Sequence, residues 1–124
     1  MPSSKRKLGD ICERLAVKHL NRVGFEIVER NYRKKWGEID IIAINNHKIH
    51  FIEVKGSSLA EGGLLHDPVD NVHMWKRRRL WRAIQTWLLE HPEYEEAEWQ
   101  VDVMAVFLDF TSKRAKIRWT KNVI

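Results

Sequence analysis

Glu38-Ile39-Asp40-Ile41-Ile42-Ala43-Ile44-Asn45 and Lys48-Ile49-His50-Phe51-Ile52-Glu53-Val54-Lys55 are two runs rich in Ile, Val and Phe, separated by Asn46-His47. β-Branched and aromatic side chains fit a pleated, half-buried surface, and asparagine supplies turn chemistry, so the pair reads as a β-hairpin. A two-residue turn at Asn46 and His47 pairs Asn45 with Lys48. Counting outward sets Ile42 opposite Phe51, Asp40 opposite Glu53 and Glu38 opposite Lys55. One face then carries Glu38, Asp40, Ile42 and Ile44 with Ile49, Phe51, Glu53 and Lys55; the other carries Ile39, Ile41, Ala43, Ile52 and Val54. Both faces are apolar near the turn, so the hairpin is expected inside a sheet sandwiched by helices.

The flanking sequence supplies those helices. From Leu8 to Val23, apolar residues recur at spacings of three and four, and Gly24 stands as a stop. Glu13 falls at the border of that stripe, within reach of whatever the helix packs on. Phe25 to Val28 reads as a short strand, followed by a basic connection, Arg30 to Lys35, that ends at Trp36-Gly37. Downstream, Gly56 to Asp67 carries Gly62, Gly63 and two serines and reads as a mobile loop. A second helix runs from Val69 to about His91 and is ended by Pro92. On its wheel Lys76 lies in the apolar stripe and is expected to face inward, whereas Arg77, Arg78 and Arg82 lie away from its centre. After an acidic connection, Glu93 to Glu98, the alternating run Trp99 to Phe110 reads as a strand and Ala115 to Thr120 as an edge strand. The strand, crossover helix, strand passage predicts parallel pairing of Lys48–Lys55 with Trp99–Phe110. Asp102 would share a face with Gln100 and Met104.

Composition bounds the function. At 124 residues and 14.8 kDa the sequence fits one domain, 1–124, with residues 1–7 as a flexible basic tail. No apolar run has the length of a membrane span and no secretory signal is visible, so a cytoplasmic protein that makes no membrane contact is expected. The single cysteine, Cys12, excludes an internal disulfide and reads as a small core residue. Lys and Arg total 22 against 17 Asp and Glu, a net charge of +5 that favours a polyanionic partner. The six histidines show no zinc-ligand spacing.

The acidic residues of the hairpin carry the chemistry. Two carboxylates opposed at about 5 Å on a sheet face repel by roughly 3 kcal/mol at an effective dielectric near 20. Protonation, a nearby Lys or Arg, or a bound cation must offset that repulsion. All-oxygen ligands suit Mg²⁺ or Mn²⁺ rather than zinc. Lys55, two residues after Glu53, can supply one positive charge; a Glu53–Lys55 and Glu38–Lys55 salt-bridge ladder is the purely structural alternative.

The order Glu13 on a first helix, Asp40 on a strand, Glu53-Val54-Lys55 on the next and Lys76 on a following helix resembles the PD-(D/E)XK, or restriction-endonuclease-like, nuclease superfamily. The stretch Trp36 to Ala43 followed by Phe51 to Lys55 is similar in particular to the small bacterial YraN family, with archaeal Holliday-junction resolvases as relatives. The resemblance implies an α/β fold with an αβββαβ core, a mixed central sheet flanked by helices. It also implies a metal-dependent DNA endonuclease, with RNA left open, that acts on structured or single-stranded intermediates of repair or recombination. Asp40, Glu53, the Val54 carbonyl and Glu13 would hold Mg²⁺ or Mn²⁺. Lys55 would orient the attacking water and stabilise the charge on the phosphate, and Lys76 would support it. Relatives commonly place an arginine two positions after the Glu-Val-Lys, where this sequence has Ser57. Arg33, Lys34, Lys35, Arg77, Arg78 and Arg82 are the expected backbone-phosphate contacts. Trp75 and Trp81 are candidates for stacking on unpaired bases, and analogy with the resolvases suggests a homodimer. The alternatives are a non-catalytic nucleic-acid-binding module on the same fold and a protein-interaction adaptor.

Overall fold

The computed structural model describes residues 4–58 and 74–123, with side chains described for 6–58 and 77–123. The elements run α1 (Ser4–Arg22), β1 (Glu26–Lys34), β2 (Gly37–Asn45), β3 (Lys48–Ser58), α2 (Met74–Glu90), a 3-10 turn (Pro92–Tyr94), β4 (Glu98–Asp109) and β5 (Arg114–Thr120). The strands form a five-stranded sheet in the order β1-β2-β3-β4-β5. β3 and β4 pair in parallel, as the strand, helix, strand passage predicts, and the other neighbours are antiparallel. This is an α/β architecture with a mixed sheet and a helix on each face, consistent with a restriction-endonuclease-like core.

Each helix buries the stripe its periodicity predicts. On one face Cys12, Ala16 and Leu20 of α1 pack on Phe25, Ile41, Ala43, Ile52, Met104, Val106 and Leu108. On the other, Leu80, Ala83, Ile84 and Trp87 of α2 pack on Tyr32, Ile39, Ile42, Ile49, Phe51 and Val101. Gly24, with φ +94°, ends α1 in the left-handed region that glycine favours. Gly37 is required for a different reason: a Cβ there would overlap the carbonyl oxygen of Arg79, so α2 lies directly on the backbone of β2.

Several boundaries differ from the sequence expectation. α1 begins at Ser4 rather than Leu8, so part of the expected tail is helical. The expected strand Phe25–Val28 and basic connection Arg30–Lys35 are one nine-residue strand, Glu26–Lys34, and only Lys35-Trp36 turns. Its charges suit an edge strand, where they discourage pairing with other chains. β3 continues through Gly56 to Ser58, three residues into the expected loop. The remainder of that loop and the start of the second helix lie outside the described residues. No helix among the described residues is long and apolar enough to cross a membrane.

Away from the helices, Asp102 is fully buried on the α1 side of β4 and organises a polar cluster. His50 Nδ1 lies 2.7 Å from its Oδ2, and Trp119 Nε1 donates to the same oxygen at 3.0 Å. Gln100 Nε2 and the Asn122 backbone N–H donate to Oδ1 at 2.7 and 2.9 Å. Burial alone would raise the Asp102 pKa; these donors outweigh it and hold the carboxyl below its usual range. An ionised Asp102 only accepts, so His50 carries its proton on Nδ1. The cluster ties β3, β4, β5 and the chain after β5 together.

Candidate active site

The hairpin turn forms at Asn46 and His47, with φ of 51° and 64°, and the ladder runs Asn45↔Lys48, Ile44↔Ile49, Ala43↔His50, Ile42↔Phe51 and Ile41↔Ile52. It stops there. That register points Asp40 at Glu53 as the next pair, where the contact is made through a side chain: the Val54 backbone N–H donates to Asp40 Oδ2 at 2.8 Å. A carboxylate has taken the place of a ladder acceptor, so β2 and β3 part at the position where the acidic residues begin.

Across the other edge of β2, Asn31 lies opposite Asp40, between the pairs Arg30↔Ile41 and Tyr32↔Ile39, and its φ is 53°. Strict alternation fails at this step. Ile39 joins the cluster under α2 and Ile41 the cluster under α1, whereas two residues apart on a regular strand would share a face. Asp40 is thereby turned toward α1, into a cleft of about 360 Å³ lined by Arg6, Gly9, Asp10, Glu13, Asn31, Arg33, Asp40 and Val54.

The electrostatics of this cleft centre on Asp40. Burial is the largest influence on its carboxyl and raises the pKa; the Val54 N–H opposes, and the negative charges of Glu53, Glu13 and Glu38 push further up, to about 6. Glu13, buried at the border of the α1 stripe, accepts from Arg30 Nε and pairs with its Nη2, both at 3.3 Å. Glu53, also buried, lies 3.2 Å from Lys55 Nζ. Val54 packs under α1, so its neighbours Glu53 and Lys55 project toward the opposite side of β3. Among the described residues, no three His, Cys, Asp or Glu side chains converge as a ready-made metal cage.

The expected phosphate contacts divide. Arg33 lines the cleft and lies 3.7 Å from Glu38. Lys34 pairs with Glu90 at 3.2 Å, while Lys35, Arg77, Arg78 and Arg82 are exposed. Lys76 lies in the first turn of α2, and its expected inward direction, like the placement of Trp75, falls outside the described side chains. Arg6 and Asn31 were missed. Arg6 stands seven residues before Glu13, a spacing that puts both on one helix face, so continuing the α1 periodicity back into the tail would have found it. Asn31 has no local signature, because its placement depends on the pairing of β1 with β2.

An α/β fold with a restriction-endonuclease-like core, carrying an acidic cleft where its central hairpin opens, is the class these observations define. The chain belongs to the uncharacterised protein family UPF0102, the YraN family, whose model matches residues 12–106. It is similar to a UPF0102 protein of Alkaliphilus oremlandii, 36% identical over 117 residues that cover 94% of this chain and 97% of the relative. It also resembles one from Marinobacter nauticus, 34% identical over 119 residues, 96% of this chain and 93% of the relative.

Proposed function

We propose that this protein is a divalent-metal-dependent endonuclease that hydrolyses phosphodiester bonds in DNA, with Asp40 as the central ligand of Mg²⁺ or Mn²⁺. The observation that supports this most is the cleft itself, which brings the Asp40 carboxyl together with Glu13, Arg6 and Arg33; desolvation there and the charges of Glu53 and Glu13 raise the Asp40 pKa. A buried carboxylate among other carboxylates is costly to ionise, and a cation relieves that cost. The donor set of hard carboxylate oxygens fits Mg²⁺ or Mn²⁺. Glu13 and Glu53 would contribute by exchanging Arg30 and Lys55 for the cation, and the Val54 carbonyl is available on β3. When bound, the cation supplies positive charge to a phosphate oxygen and lowers the pKa of a coordinated water. Lys55, released from Glu53, would orient the attacking water and offset charge on the phosphate. Arg6 and Arg33 would hold the flanking phosphates.

A second reading has its own support. Two of the three acids are already engaged, Glu13 with Arg30 and Glu53 with Lys55, as a structural salt-bridge arrangement requires. On that account the fold binds nucleic acid without cutting it. The two are separated by comparing wild type with Asp40→Ala and Lys55→Ala on labelled single-stranded, duplex, flap and four-way-junction DNA, with Mg²⁺, Mn²⁺ or chelator. Metal-dependent cleavage lost in both variants supports the nuclease. Absence of cleavage, with equal and salt-sensitive binding by all three proteins, overturns it in favour of the binding module.

A further inference from the structure

We propose that Trp36 is a stacking platform for an unpaired nucleobase, so that the polynucleotide taken by this site is single-stranded over the nucleotides that flank it. The inference rests on the nucleic-acid reading above and adds the substrate class.

Trp36 occupies the two-residue turn between β1 and β2 with Lys35, and 41% of it is exposed. A tryptophan contributes most when buried, and an exposed one at a turn adds little to a core. Its orientation is nonetheless fixed. Nε1 donates to Thr86 Oγ1 at 2.9 Å, and the Thr86 hydroxyl in turn donates to the Arg82 carbonyl at 2.9 Å. Gly37, next in the chain, lets the α2 backbone approach closely enough for this tether. The ring is held by its one polar atom. Trp81, the other strongly exposed tryptophan, has a partner ring, Trp99, at 5.6 Å, whereas Trp36 makes no ring contact among the described residues.

The surroundings specify the occupant. Lys35 and Arg82 are exposed next to the ring in sequence and on the Thr86 side of α2, and Arg33 lies at the near end of β1. A fixed π-face set among cations is the combination that binds a base and its phosphates together. Asp40 lies four residue steps along the chain from Trp36, about 14 Å at the usual rise of a strand, within the span of a short single strand. Bases inside a duplex are stacked on both neighbours and cannot lie on this ring; unpaired ones can.

The test is binding, which does not depend on turnover. Anisotropy is measured at low salt, with chelator and separately with Ca²⁺, for labelled oligothymidine, an abasic strand of equal length and a blunt duplex, using wild type, Trp36→Ala and Trp36→Phe. Stacking on one base supports about 5- to 150-fold in affinity. Trp36→Ala should lose a factor in that range on oligothymidine alone, Trp36→Phe should retain most of it, and the abasic strand and duplex should be unaffected. Equal weakening on all three ligands, or none, overturns the platform while leaving nucleic-acid binding intact. Failure of wild type to bind any strand overturns the nucleic-acid reading and the platform with it. Circular dichroism confirms that each variant is folded.

Discussion

Asp40 is half-buried and Asp102 fully buried, and their neighbours drive the two carboxyls in opposite directions. Asp40 is pushed up to about 6, so the folded chain binds its proton more tightly than the unfolded chain does. Its ionisation therefore costs stability: the penalty is absent below about pH 4, grows as pH rises to about 6 and is complete above it. Asp40→Asn keeps an acceptor for the Val54 N–H and removes the charge. It should raise stability by about 2–3 kcal/mol at pH 8 and by nothing near pH 4, as read from urea midpoints at the two values. A group that weakens the fold it sits in is what a ligand site requires. Asp102 is the reverse case, with its pKa lowered. Its contribution is present above the unfolded value and is lost as pH falls through the folded one. All four partners donate, so the amide of Asp102→Asn must turn its NH₂ toward a donor pair, and a loss of about 3 kcal/mol at pH 7 is expected in urea unfolding. From the sequence Asp40 was legible as a candidate site residue because Glu53 and Lys55 stood at hairpin spacing from it. Asp102 was placed on the correct face with Gln100 and Met104, but its chemistry was hidden, since His50, Trp119 and Asn122 come from three other parts of the chain.

Among the elements, the contact of α2 with β2 is the most constrained, because backbone meets backbone at Gly37. Gly37→Ala should cost about 3 kcal/mol by forcing the helix outward, measurable as a lowered urea midpoint, and should also free the Trp36 tether. The central hairpin, both helix stripes and the parallel crossover were readable because each follows a period set by backbone geometry: two for a strand, 3.6 for a helix. β1 was not. Its residues Arg30, Asn31, Arg33 and Lys34 carry no apolar alternation, and only the ladder with β2 makes them a strand. The hydrogen bonding beside Asp40 depends on long-range pairing in the same way. Counting from the turn was correct for five pairs, and then a side chain accepted the hydrogen bond that the ladder would have used, which no local rule anticipates.

At the level of the whole molecule, the proposed nucleic-acid binding implies that the excess of positive charge acts through phosphate contacts and hence through released counterions. Replacing Arg33 and Arg82 together by alanine should reduce the slope of log affinity against log salt for single-stranded DNA by about 1.4, two contacts at about 0.7 each, in an anisotropy titration. The sheet that carries these residues has a further consequence, for the order in which it is made. Every pair in the β3–β4 ladder joins residues fifty positions apart, whereas β1, β2 and β3 meet across short turns. The antiparallel meander can form early, from local encounters. β4 can dock only after the intervening chain has been closed, at an entropic cost that nothing repays until Phe51 and Val101 are side by side. Docking of β4 is thus the expected slow step. Until it occurs, the inner edge of β3 stays unpaired, so a nascent or destabilised chain would be most prone to aggregate through the strand that bears Glu53 and Lys55.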